Sequence, residues 1–145
     1  MARAPYQVLV IPYRHKAGRL LVAVMKIKGH ELWQFIAGGG EATEDPLDAA
    51  KREALEEGGI SSDRWLALDA KASIPRIHFK NTQHWDPAIF VIPEHAFAVR
   101  MEETQELRLS GEHSEFVWLA EEAAAKILAF DSNRVALWEL GARLA

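Results

Sequence analysis

A single mixed α/β domain is the architecture the sequence predicts, and three observations carry it. The chain is 145 residues long with 49% apolar and 26% charged side chains, a profile that suits one core. Short runs rich in β-branched and aromatic residues alternate with segments of helical periodicity. No internal repeat, low-complexity run or long linker divides the chain.

In chain order, Gln7 to Tyr13, Arg19 to Ile27 and Glu31 to Ile36 read as strands, separated by the turn residues Ala17-Gly18 and Gly29, with Pro12 expected to end the first. A glycine loop, Gly38 to Gly40, then leads to a helix over Pro46 to Glu57. Asp45 is placed to accept from the first free amides, Pro46 needs no amide partner, and Gly58-Gly59 supplies the stop. At 100° per residue, Leu47, Ala50 and Ala54 form the face expected to pack on the sheet. Trp65 to Ile74, Arg76 to Lys80, Pro87 to Ile92 and Glu115 to Leu119 read as further strands. Two helices close the chain, Glu121 to Phe130 and Arg134 to Leu144, with Asp131 or Ser132 placed to cap the second.

Composition excludes several classes. There is no cysteine, which removes disulfide scaffolds, thiolate metal sites and cysteine nucleophiles and makes an intracellular, cytoplasmic setting the expectation. Gln7 and Pro12 bracket the apolar run Val8 to Ile11 and no small-residue cleavage site follows, so no secretory leader is expected. No apolar stretch reaches the length of a membrane span. The formal charge of −4 argues against a nucleic-acid partner.

The negative charge is local. Glu41 to Glu57 holds seven acids and two bases, a net −5 that leaves +1 for the rest of the chain. Glu53, Glu56 and Glu57 stand at i, i+3 and i+4 of the expected helix, so their Cβ atoms lie about 5–6 Å apart. At an effective dielectric near 20, each like-charge contact at that range costs about 3 kcal/mol. An acidic helix face is ordinarily a solvated surface. What sets this one apart is its frame: Gly38, Glu44, Arg52-Glu53, Glu56-Glu57, Gly59 and the apolar Ile60 at fixed intervals.

That pattern, Gly38 to Ile60, resembles the Nudix box, the signature of the Nudix hydrolases, which cleave nucleoside diphosphates linked to another moiety. Each charged and glycine position of the box is present; Ala37 stands where many members have proline, and Ala54 where a larger apolar residue is usual. The resemblance implies an α/β/α sandwich around a mixed sheet and hydrolysis assisted by Mg²⁺ or Mn²⁺, cations suited to carboxylate oxygens. It implies Glu53, Glu56 and Glu57 as ligands, with Glu41 and the Gly38 backbone beside the metal. Gly39 and Gly40 would let backbone approach phosphate closely, and Glu44 would support the loop or an outer-shell water on the substrate side. Arg52 joins the catalytic set by tying down the helix through Asp48 and orienting Glu56. The general base stays open among Glu53, Glu112 and Glu115.

Trp33 and Trp85 are either stacking faces for a base or pterin ring or members of the core, and Lys26 is either a phosphate contact or a surface charge. His78, His84 and His113 lack metal-ligand spacing, and no Gly-Lys-Ser/Thr makes the glycine loop a P-loop. Trp85 to Phe97, Glu112-His113 with Trp118, and Asp131 to Arg134 are similar to the branch that includes dihydroneopterin triphosphate pyrophosphatases. This favours a nucleoside or pterin triphosphate over a dinucleoside polyphosphate or nucleotide sugar. A non-catalytic nucleotide-sensing module is the reading from another class, and a homodimer is a candidate assembly.

Overall fold

The computed structural model describes residues 2–145. Its elements are β1 (Arg3–Lys16), β2 (Arg19–Ile27), β3 (Trp33–Gln34), β4 (Ile36–Glu41), α1 (Pro46–Gly58), β5 (Trp65–Pro75), β6 (Val91–Arg100), β7 (His113–Ala120), α2 (Glu121–Ile127) and α3 (Asp131–Leu144). The strands form one mixed sheet in the order β3-β2-β1-β6-β5, with β4 added to β1 and β7 to β2. β1 and β6 run parallel; the other pairs are antiparallel.

β1 is central, and its Val8 to Ile11 run is buried on both sides, as a strand covered on two faces requires. Val8 and Val10 face α1, packing with Ala49, Ala50, Ala54, Met25 and Ile36. Leu9 and Ile11 face the other way, with Ala124, Ala136, Leu137 and Leu140 of α2 and α3. The α/β/α sandwich expected from the sequence is therefore present. Within α1 the buried alanines include Ala49, while Leu47 is 37% exposed, so the packing face is rotated from the expected one by a small-residue surface that lets the helix sit close to the sheet.

Several boundaries differ from the sequence reading for identifiable reasons. Pro12 does not end β1: β4 pairs β1 only as far as Val10 and β2 begins pairing at Tyr13, so Pro12 falls in the gap between two partners. The run Glu31 to Ile36 is broken at Phe35, whose amide donates to the buried Asn133 Oδ1 at 2.9 Å. Gly38 to Gly40 is not a loop but part of β4. Arg76 to Lys80 is not a strand: Arg76–His78 is one 3₁₀ turn, and the Arg76 guanidinium donates to the carbonyls of Thr82, Asp86 and Ile89. Those carbonyls are thereby withdrawn from pairing, and the strand expected over Pro87 to Ile92 begins only at Val91 and runs on to Arg100. No side chain caps α3; the Phe130 carbonyl accepts from the Asn133 and Arg134 amides instead. Among the described residues no helix is long and apolar enough to cross a membrane.

Glu139 of α3 locks the sheet edge. The β5–β6 register shifts between Ala67 and Lys71, and the amides freed there, Asp69 and Ala70, donate to the Glu139 carboxylate at 2.6 and 2.7 Å. Burial alone would raise this carboxyl; the Asp69 amide, Arg143 and the Ala70 amide outweigh it and hold it below its ordinary range. A lowered folded-state pKa contributes stability above the unfolded value and loses it as pH falls. Glu139→Ala is therefore expected to cost about 1–2 kcal/mol at neutral pH in urea denaturation, a difference that shrinks as the pH is lowered through the carboxylate range.

Candidate active site

α1 begins as its sequence dictates: Asp45 accepts from the Asp48 amide at 2.9 Å, and Pro46 occupies the first turn. It ends at Gly59, whose φ of 63° is the left-handed conformation of a helix stop. The interval between these caps brings Glu53, Glu56 and Glu57 together, with one oxygen of each lying within 4.8 Å of the others. Glu53 and Glu57 are buried and Glu56 is exposed.

Arg52 is the counter-charge. Its Nε and Nη2 donate to the two oxygens of Glu44 at 2.8 and 2.9 Å, its Nη2 also to the Gly39 carbonyl at 2.8 Å, and its Nη1 to Glu53 at 2.9 Å and Glu56 at 3.3 Å. The expected tie to Asp48 is replaced by these contacts, because the guanidinium turns toward the β4–α1 loop. A planar fork can serve several acceptors at once where an ammonium cannot. Arg52 and the Glu41 amide hold the Glu44 carboxyl below its ordinary range, and Glu44 in turn accepts from that amide at 2.9 Å. Glu41 itself lies 3.9 Å from Arg52.

The three glycines of β4 have steric duties. A Cβ on Gly38 would fall on the Glu53 carboxyl, one on Gly39 on the Arg3 guanidinium, and one on Gly40 on the Tyr6 ring. Glycine is required where a side chain packs directly over a strand backbone. Burial pushes the Glu53 carboxyl up to about 7; Arg52 opposes this, and Glu56 and Glu57 add to it.

The far end of the cluster rests on the segment between β6 and β7. Ser110 Oγ donates to Glu57 Oε2 at 2.6 Å, and the Arg108 and Ser110 amides donate to the carbonyls of Gly58 and Glu57, satisfying the C-terminal end of α1. Glu112 is drawn to the same place: partial burial, the charge of Glu57 and a hydrogen bond with it raise its carboxyl. Buried His113 places Nδ1 3.7 Å from Glu57 and Nε2 3.1 Å from Gln34 Nε2.

Other expected residues lie elsewhere. Glu115 sits on β7 opposite Lys26, and the two form an ion pair at 3.3 Å; Lys26 also pairs with Glu31 at 3.1 Å. Trp85 is buried and donates Nε1–H to the Arg3 carbonyl at 2.7 Å, so it belongs to the core margin and offers no free stacking face. Half-buried Trp33 packs against the α2–α3 side of the core. No spacing links Arg3 or Ser110 to the helix, and for Ser110 only nearness to Glu112 in sequence is a signal, whereas His113 belongs to the Glu112-His113 pair on which part of the finer resemblance rests.

The NUDIX domain family model matches residues 4–138. The chain belongs to the Nudix family. A crystal structure of a Nudix hydrolase from Listeria monocytogenes is 39% identical, covers 97% of this chain and 94% of its own, and superposes with a TM-score of 0.87. The E. coli dihydroneopterin triphosphate pyrophosphohydrolase shares the fold at 23% identity, with a TM-score of 0.76 and coverage of 97% and 98%. An RNA pyrophosphohydrolase from Psychrobacter is 30% identical over 99 residues, which is 61% of this chain. The chain spans about half the length of that relative, 54%. Residues Gly38 to Ile60, which resemble the Nudix box, take in most of β4 and all of α1.

The raised Glu53 pKa makes stability depend on pH in a defined direction. Between about 4.5 and 7 the folded, metal-free protein holds a proton that the unfolded chain has released, so stability falls as pH rises across that interval, by up to about 3 kcal/mol. Glu53→Gln is expected to abolish this slope, and Mg²⁺ is expected to restore the wild type at pH 8 without stabilising the variant. Chemical denaturation with EDTA and with Mg²⁺ at pH 5 and pH 8 measures both.

Proposed function

We propose that this Nudix protein is a divalent-cation-dependent pyrophosphohydrolase that cleaves a nucleoside or pterin triphosphate to the monophosphate and pyrophosphate. The observation that carries this reading is the convergence of Glu53, Glu56 and Glu57 within 4.8 Å, two of them buried. One guanidinium shared among four carboxylates and a carbonyl leaves buried negative charge uncompensated, and an all-oxygen donor set suits Mg²⁺ or Mn²⁺. When bound there, a divalent cation supplies neutralisation of the phosphate charge and acidification of the attacking water.

The protein's own groups do the rest. Arg52 orients Glu53 and Glu56 from behind, and Ser110 fixes the rotamer of Glu57. Glu112, exposed at the solvent edge and close enough to feel the charge of Glu57, is the group we assign as general base, since Glu53 is enclosed by Gly38 and Arg52. Water adds to the attacked phosphorus, its proton passes to Glu112, and the bridging P–O bond breaks with pyrophosphate leaving. The resemblance of the Asp131 to Arg134 segment supports a triphosphate over a dinucleoside polyphosphate or nucleotide sugar.

Product analysis with Mg²⁺ across dATP, dGTP, dihydroneopterin triphosphate, diadenosine tetraphosphate and ADP-ribose is expected to show pyrophosphate released from a triphosphate. A panel left intact while nucleotides still bind would replace the enzyme by a sensing module. Glu57→Gln is expected to lower turnover by more than about 100-fold with Tm little changed. Glu112→Gln is expected to lower kcat by about 10²–10⁴-fold while Mg²⁺ affinity stays near that of the wild type.

A further inference from the structure

On the sheet face opposite α1 lies a cavity of about 440 Å³, bounded by residues of β1, β5, β6 and the start of α3. Its size falls within the range of about 300–1,000 Å³ that holds small ligands. Phe79, Phe130 and Ile74 give it apolar walls. Its polar end carries Glu94, which is 5% exposed and has no part in the acid cluster.

The partners of Glu94 are neutral donors. Gln7 Nε2 donates to its Oε2 at 2.6 Å, and the Ser132 hydroxyl stands near enough to favour its charged form. A carboxylate has about four acceptor sites, so two donors leave capacity on the edge facing the cavity. Burial pushes this carboxyl above its ordinary range while Gln7 and Ser132 oppose it. A ligand presenting further N–H donors would act in the same direction as those two side chains, satisfying the buried group.

The cavity is separated from the acid cluster by the backbone of β4. Ala37 lines it, and the next residue along β4, Gly38, abuts the Glu53 carboxyl. Arg3 bridges the two places: its Nη2 donates to Gln7 Oε1 at 3.2 Å, its guanidinium lies 4.6 Å from the Phe79 ring centroid, and it feels the charge of Glu53. A ring in the cavity therefore has a cationic side chain on the way from it to the carboxylates.

We propose that this cavity takes the heterocycle of the substrate, and that Glu94, held by Gln7 and Ser132, selects rings in which a ring N–H adjoins an exocyclic amino group, the edge shared by guanine and pterins. Two parallel N–H donors match the two oxygens of a carboxylate; adenine offers one acceptor and one donor, and leaves a carboxylate oxygen facing a lone pair. The inference deepens the triphosphate reading and rests on it for the placing of the phosphates, whereas binding of the ring is tested without any chemistry.

Calorimetric binding of GMP, 6-hydroxymethylpterin and AMP to the full chain separates the two. The wild type is expected to bind GMP, the pterin or both at least about tenfold more tightly than AMP, and the stronger of the two names the source of the ring. Glu94→Gln, which presents one acceptor and one donor, is expected to reverse or erase that ratio. Ser132→Ala, a milder change that keeps the carboxylate, is expected to narrow it should the first variant fail to fold. Equal affinity of the wild type for all three, or a ratio unchanged in the variants, overturns the proposal. Triphosphates that resist hydrolysis while GMP still outbinds AMP would sink the enzymatic reading and leave the cavity assignment standing; hydrolysis without ring discrimination would do the reverse.

Discussion

The constraint on which the rest depends is the removal of the Glu53 carboxyl from water against the bare backbone of Gly38. A carboxylate so placed, with two more beside it, is costly unless opposed by cations and hydrogen bonds. Arg52 opposes it from one side and ties together three otherwise separate pieces of chain: the edge strand through the Gly39 carbonyl, the loop through Glu44, and the helix through Glu53 and Glu56. The remaining side faces outward, where an oxygen-ligated cation fits. Three carboxylates so close together, two of them buried, are unfavourable wherever no cation offsets them.

The sheet edge gives this cluster its second neighbour. β4 lies on β1 as a strip whose three consecutive glycines leave room for Glu53, Arg3 and the Tyr6 ring to pack against its backbone. Acids collect on the α1 side, and the cavity with Glu94 opens on the α3 side. The strand between them is one backbone thick, so a ligand that turns around it can place a ring on one side and phosphates on the other. Arg3 stands at that turn, in contact with Gln7 and under the influence of Glu53.

Rigidity comes from an unusual place. The segment leading to β7 does not hang free over the site: its amides end α1, and Ser110 completes Glu57. Helix termination and positioning of the carboxylate are thus one set of hydrogen bonds. Displacement of this segment would release the last carbonyls of α1, Glu57 and Glu112 together, which couples the fold of the site to the presence of the β6–β7 connection.

What the sequence determined by itself is what depends on local geometry. The caps of α1, the adjacency of Glu53, Glu56 and Glu57, the first strand around Val8 to Ile11 and the mixed α/β class follow from residue periodicity and from the conformations open to Gly, Pro and Asp. The Nudix pattern was legible for the same reason, since its residues follow one another along a strand end, one loop and one helix. Tertiary structure alone decided that Gly38 to Gly40 is a strand, that Trp85 is buried, that Glu112 joins the cluster while Glu115 pairs with Lys26, and that Arg3 packs over Gly39, Ser110 on Glu57 and Gln7 on Glu94. These outcomes turn on partners far away in the chain, such as Ser110 with Glu57 or Gln7 with Glu94, 53 and 87 residues apart. Spacing along a chain constrains dihedral angles and helix faces; it carries no information about which distant surfaces the sheet brings into contact.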